Sequence, residues 1–173
     1  MFKQHGLVCF RKVEKAMRQL LDELFNEIGR RIGLDGLSLD EDNTLLLGLE
    51  QELFMTVQWR DETQTLLFNA VLCMQPCNDL EKLQALMQTN CVLTHGYGMS
   101  FNLDPATDHI NLSQVVNITD KSSFTLQEKL ELFISTSAAW HERLNSTAPL
   151  QMDWQHSASA AAESSFETLG MRV

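Results

Sequence analysis

The residues best equipped for chemistry in this 173-residue sequence are four cysteines and five histidines. Cys73 and Cys77 form a C-x3-C pair, and Cys91 and His95 a C-x3-H pair. Together they offer the thiolates and imidazole of a tetrahedral zinc site. Two features oppose that reading. Cys73 falls in an apolar, strand-like run, and a helical stretch separates the two pairs. A cysteine without a partner is also among the most often buried residue types. Cys9 is the fourth cysteine, nothing in the sequence marks secretion, and all four are read as reduced thiols.

The other candidates dissolve in the same way. His5, His95, His109, His141 and His156 are scattered, and none has a nucleophile at a matching position. His141–Glu142 stands on a helical stretch with no second histidine four residues on, so H-E-x-x-H is not completed. Gly96–Tyr97–Gly98 is too short for a phosphate-cradling loop and precedes a strand, which suits a turn. Asp40–Glu41–Asp42 lacks the spaced oxygen ligands and glycine of a calcium loop and reads as a solvated turn. Dinucleotide, Walker and nucleophile-elbow patterns do not occur. The expectation is a chain with no catalytic residue, no cofactor and no metal.

The elements around these residues follow from periodicity. Val13, Met17, Leu20, Leu21, Leu24, Phe25, Ile28 and Ile32 recur at helical spacing, with Gly33 just past the end. About ten residues precede that helix, and Lys12, Lys15, Arg18, Asp22 and Glu23 form its solvated face. Thr44–Leu49, Leu53–Arg60 and Thr65–Cys73 read as strands joined by short polar turns, hence antiparallel. A helix opens at Asn78, with Glu81 three residues on as in a capping box, and runs to about Thr89. Gly98–Leu103 and His109–Val116 form a second hairpin around Asp104–Pro105–Ala106–Thr107. The last helix opens at Thr125, with Glu128 completing a second box. Its stripe is Leu126, Leu130, Phe133, Ser137, Trp140 and Leu144. The order α-β-β-β-α-β-β-α places the fold in the α+β class, a twisted antiparallel sheet packed by helices. Residues 1–144 form one domain, with 1–10 as an N-terminal extension. Residues 145–173, rich in Ser and Ala, are expected to be a mobile tail in which 158–166 forms at most a marginal helix.

Charge and hydropathy narrow the function. The net charge is −10 and the isoelectric point near 4.8, which opposes general nucleic-acid binding. Residues 1–33 carry seven Lys and Arg against four Asp and Glu, a net of +3, and the remainder a net of −13. No apolar run approaches the ~18 residues of a membrane span. The N-terminus lacks the pattern of a secretory signal, so a cytoplasmic location is expected.

Strand alternation then divides the sheet. One face gathers Leu45, Leu47, Leu49, Leu53, Met55, Val57, Trp59, Leu66, Phe68, Ala70 and Leu72. The other carries Leu46, Phe54, Leu67 and Val71 among Thr56, Gln58 and Asn69. That second face is half apolar, more than a purely solvated face should be. Either the middle helix covers it, or it remains for a second subunit or a client.

The run Ile28 to Asp42, IGRRIGLDGLSLDED, resembles the start of the class I type III secretion chaperones, the CesT (Tir chaperone) family, in which an amphipathic first helix ends at a similar "lgr-lGl-gLsLdedg" stretch. Leu53 to Trp59 resembles the family's "l-v-l-w" strand, and Gln127 to Leu144, with Trp140 and Arg143, its closing helix. The match covers about residues 13–144. The resemblance implies a non-enzymatic homodimer in the bacterial cytoplasm that binds the N-terminal segment of a secreted effector and keeps it extended and secretion-competent. It implies no nucleotide hydrolysis. In the family the middle helix and second hairpin help make the dimer, which suits Leu83, Leu86, Met87, Met99 and Phe101 here. Effector contact is assigned by strand alternation to Leu46, Phe54, Leu67 and Val71, and a component of the secretion apparatus is a further possible partner. Two other readings stay open: an adaptor of the same fold that binds a folded protein, and a small metal-binding protein or enzyme using Cys73, Cys77, Cys91 and His95.

Overall fold

Alternating and helical apolar patterns produce three helices and five strands in the computed structural model of the protein, which describes residues 3–32, 36–49, 53–74, 79–118 and 123–146. Side chains in the first and last helices are described over 17–31 and from 125 onward. The elements are α1 (Lys3–Ile32), β1 (Thr44–Gly48), β2 (Phe54–Arg60), β3 (Thr65–Cys73), α2 (Leu80–Tyr97), β4 (Met99–Leu103), β5 (Ile110–Asn117) and α3 (Ser123–Asn145). The strands form one antiparallel sheet in the order β1-β2-β3-β5-β4. β5 therefore inserts between β3 and β4, and the connection through α2 crosses over it.

The period of two buries one face of every strand. Leu47, Met55, Ala70, Leu112 and Phe101 lie in one row across all five strands, and Leu45, Val57, Phe68, Gln114 and Met99 in the next. All ten are buried. Against them lie Leu21, Leu24, Phe25 and Ile28 of α1 and Leu126, Leu130, Phe133, Ser137, Trp140 and Leu144 of α3. Phe133 meets Phe68 edge to face at 5.5 Å between ring centroids, and Trp140 meets Phe101 at 4.8 Å. Each such pair adds about 1 kcal/mol beyond its buried area.

Turn chemistry fixes the hairpins. Asp61 opens the β2–β3 turn and accepts the indole N–H of Trp59 at 2.6 Å, while Gln64 takes a left-handed conformation at φ 55°. Between β4 and β5, Asp104 accepts from the Ala106 amide, and Asp108 turns the chain at φ 56°.

Several boundaries differ from the sequence expectation. α1 begins at Lys3, so residues 3–10, expected ahead of the helix, are its first turns; no proline interrupts the stretch. α2 is capped by Asp79, whose carboxylate accepts the Lys82 amide at 3.1 Å; Asn78 lies outside the described residues. It runs to Tyr97 rather than Thr89, because Leu93 continues the buried row of Leu86 and Thr89. Gly98, expected to open a strand, caps the helix in the left-handed region at φ 67° and donates to the Leu93 and Thr94 carbonyls. α3 opens at Ser123, which puts Thr125 inside its first turn.

The expected solvated face of α1 also differs in part. Arg18 donates to the carbonyls of Leu39 and Asp40, and the Asp22 carboxylate accepts the Leu39 amide at 3.1 Å. Both side chains are half-buried and tie the 36–40 loop to the helix, because Leu37 and Leu39 of that loop fold into the core. Gly33, the expected segment 1–10 at its first two residues, and the tail from 147, including 158–166, lie outside the described residues.

Candidate functional site

The opposite face of the sheet has no described helix over it. Registration sets its side chains in rows. Gly48, Phe54, Val71, Asn111 and Asn102 form the first; Leu46, Thr56, Asn69, Ser113 and Ser100 the second; Thr44, Gln58, Leu67 and Val115 the third. Leu46 is 64% exposed, Val115 54% and Phe54 43%, while Leu67 and Val71 are half-buried. Phe54 stands directly opposite Val71, and Leu67 opposite Val115. Four residues of strand separate the two pairs, a distance of ~13 Å.

The row between them is polar, and Ser113 ties part of it together. The Ser113 hydroxyl donates to the Asn69 side-chain oxygen at 2.8 Å, and the Asn102 amide donates to Ser113 at 2.9 Å. Another chain can lie over the Ser113 hydroxyl and the Asn69 side-chain oxygen without leaving either unpaired. No Asp, Glu or Lys stands in the three rows, so the surface offers apolar contact and neutral hydrogen bonding. At its margin β1 is an edge strand, with main-chain groups along one side available to a further strand.

The four positions singled out for client contact, Leu46, Phe54, Leu67 and Val71, thus share this face. Val115 joins them. Its signal was present in the sequence, since Ile110, Leu112, Gln114 and Val116 alternate inward and leave Val115 outward.

The five residues singled out for subunit contact do not stay together. Leu86, Met99 and Phe101 are buried in this chain's own core. That is a correction: β4 turns Met99 and Phe101 toward α3, and Leu86 is on the α2 face that packs inward, so none of the three offers surface. Leu83 is half-buried and Met87 is 69% exposed, with Leu80, 68% exposed, one further turn back along the same side. Asn90 holds α2 beside β4 by exchanging two hydrogen bonds with the Phe101 main chain, at 2.6 and 3.1 Å. Gln114 adds a third tie to the Tyr97 carbonyl at 2.8 Å. α2 consequently lies along the β4 side and leaves the second sheet face open.

The metal-type residues have structural surroundings. Cys73 ends β3 beyond a register shift, and Cys91 is exposed on α2, where His95 meets the Cys91 carbonyl through Nδ1 at 2.6 Å. Cys77 lies outside the described residues, as do His156 and the side chains of Cys9 and His5. The His141 imidazole bonds the Leu72 carbonyl at 2.8 Å and latches α3 to the end of β3. Among the described residues no group of three or more His, Cys, Asp or Glu is placed to hold a metal ion.

The model of the Tir chaperone protein (CesT) family matches residues 23–141. Among solved structures, the ExsC–ExsE complex is similar at 22% identity and a TM-score of 0.66, over 76% of this chain and 98% of that one. The HopA1–SchA chaperone–effector complex is similar at 17% identity and 0.61, over 72% and 95%. The Yersinia pestis type III secretion chaperone SycH, in complex with a stable fragment of YscM2, is similar at 17% identity and 0.53, over 69% and 98%. At these identities the likeness is one of fold. No curated protein sequence matches.

Proposed function

The chain belongs to the Tir chaperone protein (CesT) family, and from that membership we propose that it is a type III secretion chaperone holding the N-terminal segment of one or more effectors in extended form. The observation that carries the reading is the sheet face that no described helix covers, with Leu46, Phe54, Leu67, Val71 and Val115 exposed or half-buried around a polar row tied through Ser113. An extended client lays alternate apolar side chains on the two pairs and covers the polar row between. Its main chain can also extend the sheet at β1, so hydrogen bonds supply affinity while side-chain contacts supply selectivity.

Magnitudes fit an assembly that must later release its cargo. Completing the burial of each exposed apolar side chain contributes about 1 kcal/mol, part of the full transfer value. Ordering the client opposes this by several kcal/mol. Several contacts are therefore needed together, and a linear client that touches many weak sites satisfies that requirement. Binding needs no covalent step.

The row on α2 formed by exposed Leu80 and Met87 and half-buried Leu83 is the surface proposed for a second copy of the chain. Two-fold symmetry would set the two rows against each other. The place of action is the bacterial cytoplasm, ahead of export. Light scattering after size exclusion tests the reading. The expected particle is twice the 19.7 kDa chain mass, taking up one effector N-terminal fragment of ~100 residues, sized to span both halves of a symmetric dimer. A monomer that ignores every such fragment refutes it.

A further inference from the structure

We infer that a client strand joins the sheet in one register, pairing with Leu46 and Gly48 at the β1 edge, and that Gly48 selects a residue the size of Leu, Met or Phe in that strand. The inference rests on the chaperone reading and adds to it the place of pairing and the side chain chosen. The sheet has two edges, β1 and β4. At β4 the outward main-chain groups belong to Met99, Phe101 and Leu103, because Asp104 bonds His109 on the β5 side. Asn90 takes both the N–H and the C=O of Phe101, and the Thr94 hydroxyl donates to the Met99 carbonyl at 3.2 Å. Side chains of α2 thus seal that edge short of Leu103, which leaves no two successive positions for a ladder.

The β1 edge is different. Asn43 accepts from the Trp59 amide, and the Leu49 amide donates to the Leu53 carbonyl, both at 2.8 Å, so Leu45 and Leu47 between them also turn their main-chain groups to β2. Thr44, Leu46 and Gly48 turn theirs outward. Thr44 is closed: its amide donates to the Asp40 carboxylate and its carbonyl accepts the Asp40 amide, each at 2.8 Å. The outward N–H and C=O groups of Leu46 and Gly48 bond no other described residue. An added strand therefore finds two pairing positions, ~7 Å apart, and is stopped at Thr44 by Asp40. Gly48 stands directly opposite Phe54, which is 43% exposed. A β-carbon on Gly48 would meet nothing within 4 Å, and its φ is not positive. The strand thus carries no side chain where its conformation would accept one, and the flank of Phe54 is left uncovered. A residue paired with Gly48 from outside lies two strand spacings from Phe54, ~10 Å between α-carbons. Leu, Met or Phe at that position reaches over the glycine to the ring, as an aromatic across a glycine makes up for the missing side chain.

The test follows amide hydrogen exchange by NMR on the full chain, alone and with the effector N-terminal fragment described above. Alone, Leu46 and Gly48 should exchange at nearly the rate of an unstructured amide, and Thr44 and Phe101 slowly. With the fragment, Leu46 and Gly48 should slow about tenfold or more, while Thr44 and Phe101 stay as they were. Gly48→Val fills the gap beside Phe54. It should raise the melting temperature by about 2 °C, since a glycine within a strand is costly. It should nevertheless bind the fragment about tenfold more weakly, the loss of one apolar contact. A glycine that served the strand alone would let binding follow stability. If Gly48→Val does not fold, Gly48→Ala replaces it, with the same rise in stability and a loss of about threefold. Slow exchange at Leu46 and Gly48 in the free chain overturns the inference, and protection that grows with chain concentration also overturns it by giving the edge to a second copy. A fragment that binds without protecting the two amides, or that binds the folded Gly48 variant as tightly as the parent, overturns the inference and leaves the chaperone reading intact. A fragment that does not bind at all refutes the chaperone reading, and the inference with it.

Discussion

Replacing Phe54 by Asp separates a docking face from a core. Phe54 is 43% exposed on the face that no described helix covers and pairs across the strands with Val71. Its loss removes a cross-strand contact of about 0.2–1 kcal/mol and part of a buried aromatic surface, and places an Asp in a strand where it is disfavoured. The sum is about 2 kcal/mol, a fall in melting temperature of roughly 4–8 °C for a chain of this size. Phe68→Asp is the paired control. Phe68 is fully buried against Phe133, so it forfeits a whole core aromatic and strands a charge in apolar surroundings, a cost above about 5 kcal/mol. That variant should not fold. On the proposed docking, Phe54→Asp would remove one anchor and set a charge against an apolar client side chain. A loss of about 2 kcal/mol corresponds to roughly 30-fold weaker binding. Calorimetric melting and titration with an effector N-terminal fragment measure both quantities on the same samples. The reasoning is refuted if Phe54→Asp unfolds as Phe68→Asp does, or if it melts normally and binds within about threefold of the parent.

The other predictions address the supports of that face. If α2 makes the proposed dimer, Leu80→Asp with Met87→Asp should yield a folded monomer by light scattering, whereas Leu86→Ala should cost about 2–5 kcal/mol of stability in chemical denaturation because Leu86 is buried. Gly98→Ala forces a β-carbon onto the left-handed cap of α2 and should lower stability by about 1 kcal/mol, although nothing stands within 4 Å of the new carbon. Asp22→Ala takes the acceptor from the Leu39 amide and should speed hydrogen exchange at Leu39 about tenfold, the effect of ~1.4 kcal/mol, with little change at β3 amides.

Much of the candidate site was legible because it depends on a local rule. In a strand, neighbouring residues point to opposite faces whatever the rest of the chain does. Leu53, Met55, Val57 and Trp59 therefore had to share one face, and Phe54 the other. The same holds for the α3 stripe, where steps of three and four align Leu126 through Leu144 on one side. These periodicities also sufficed for the element order and the α+β class. The family resemblance agrees with the matched region, 23–141.

Non-local choices lay outside that rule. Alternation says that Met99 and Phe101 point the same way but not which way; Trp140 of α3, far along the chain, decides it by packing on Phe101. The insertion of β5 between β3 and β4 is a pairing of distant segments that no local pattern encodes. It sets α2 along β4 rather than across the sheet, and so leaves the second face open. Arg18 and Asp22 looked like solvated helix residues because their partners, Leu39 and Asp40, come to them only when the following loop folds back. The sequence by itself determined which side chains travel together on each strand and helix, since backbone geometry imposes that residue by residue. Tertiary structure alone decided which of those faces meets another element and which meets water, because burial is settled by contacts between segments far apart in the chain.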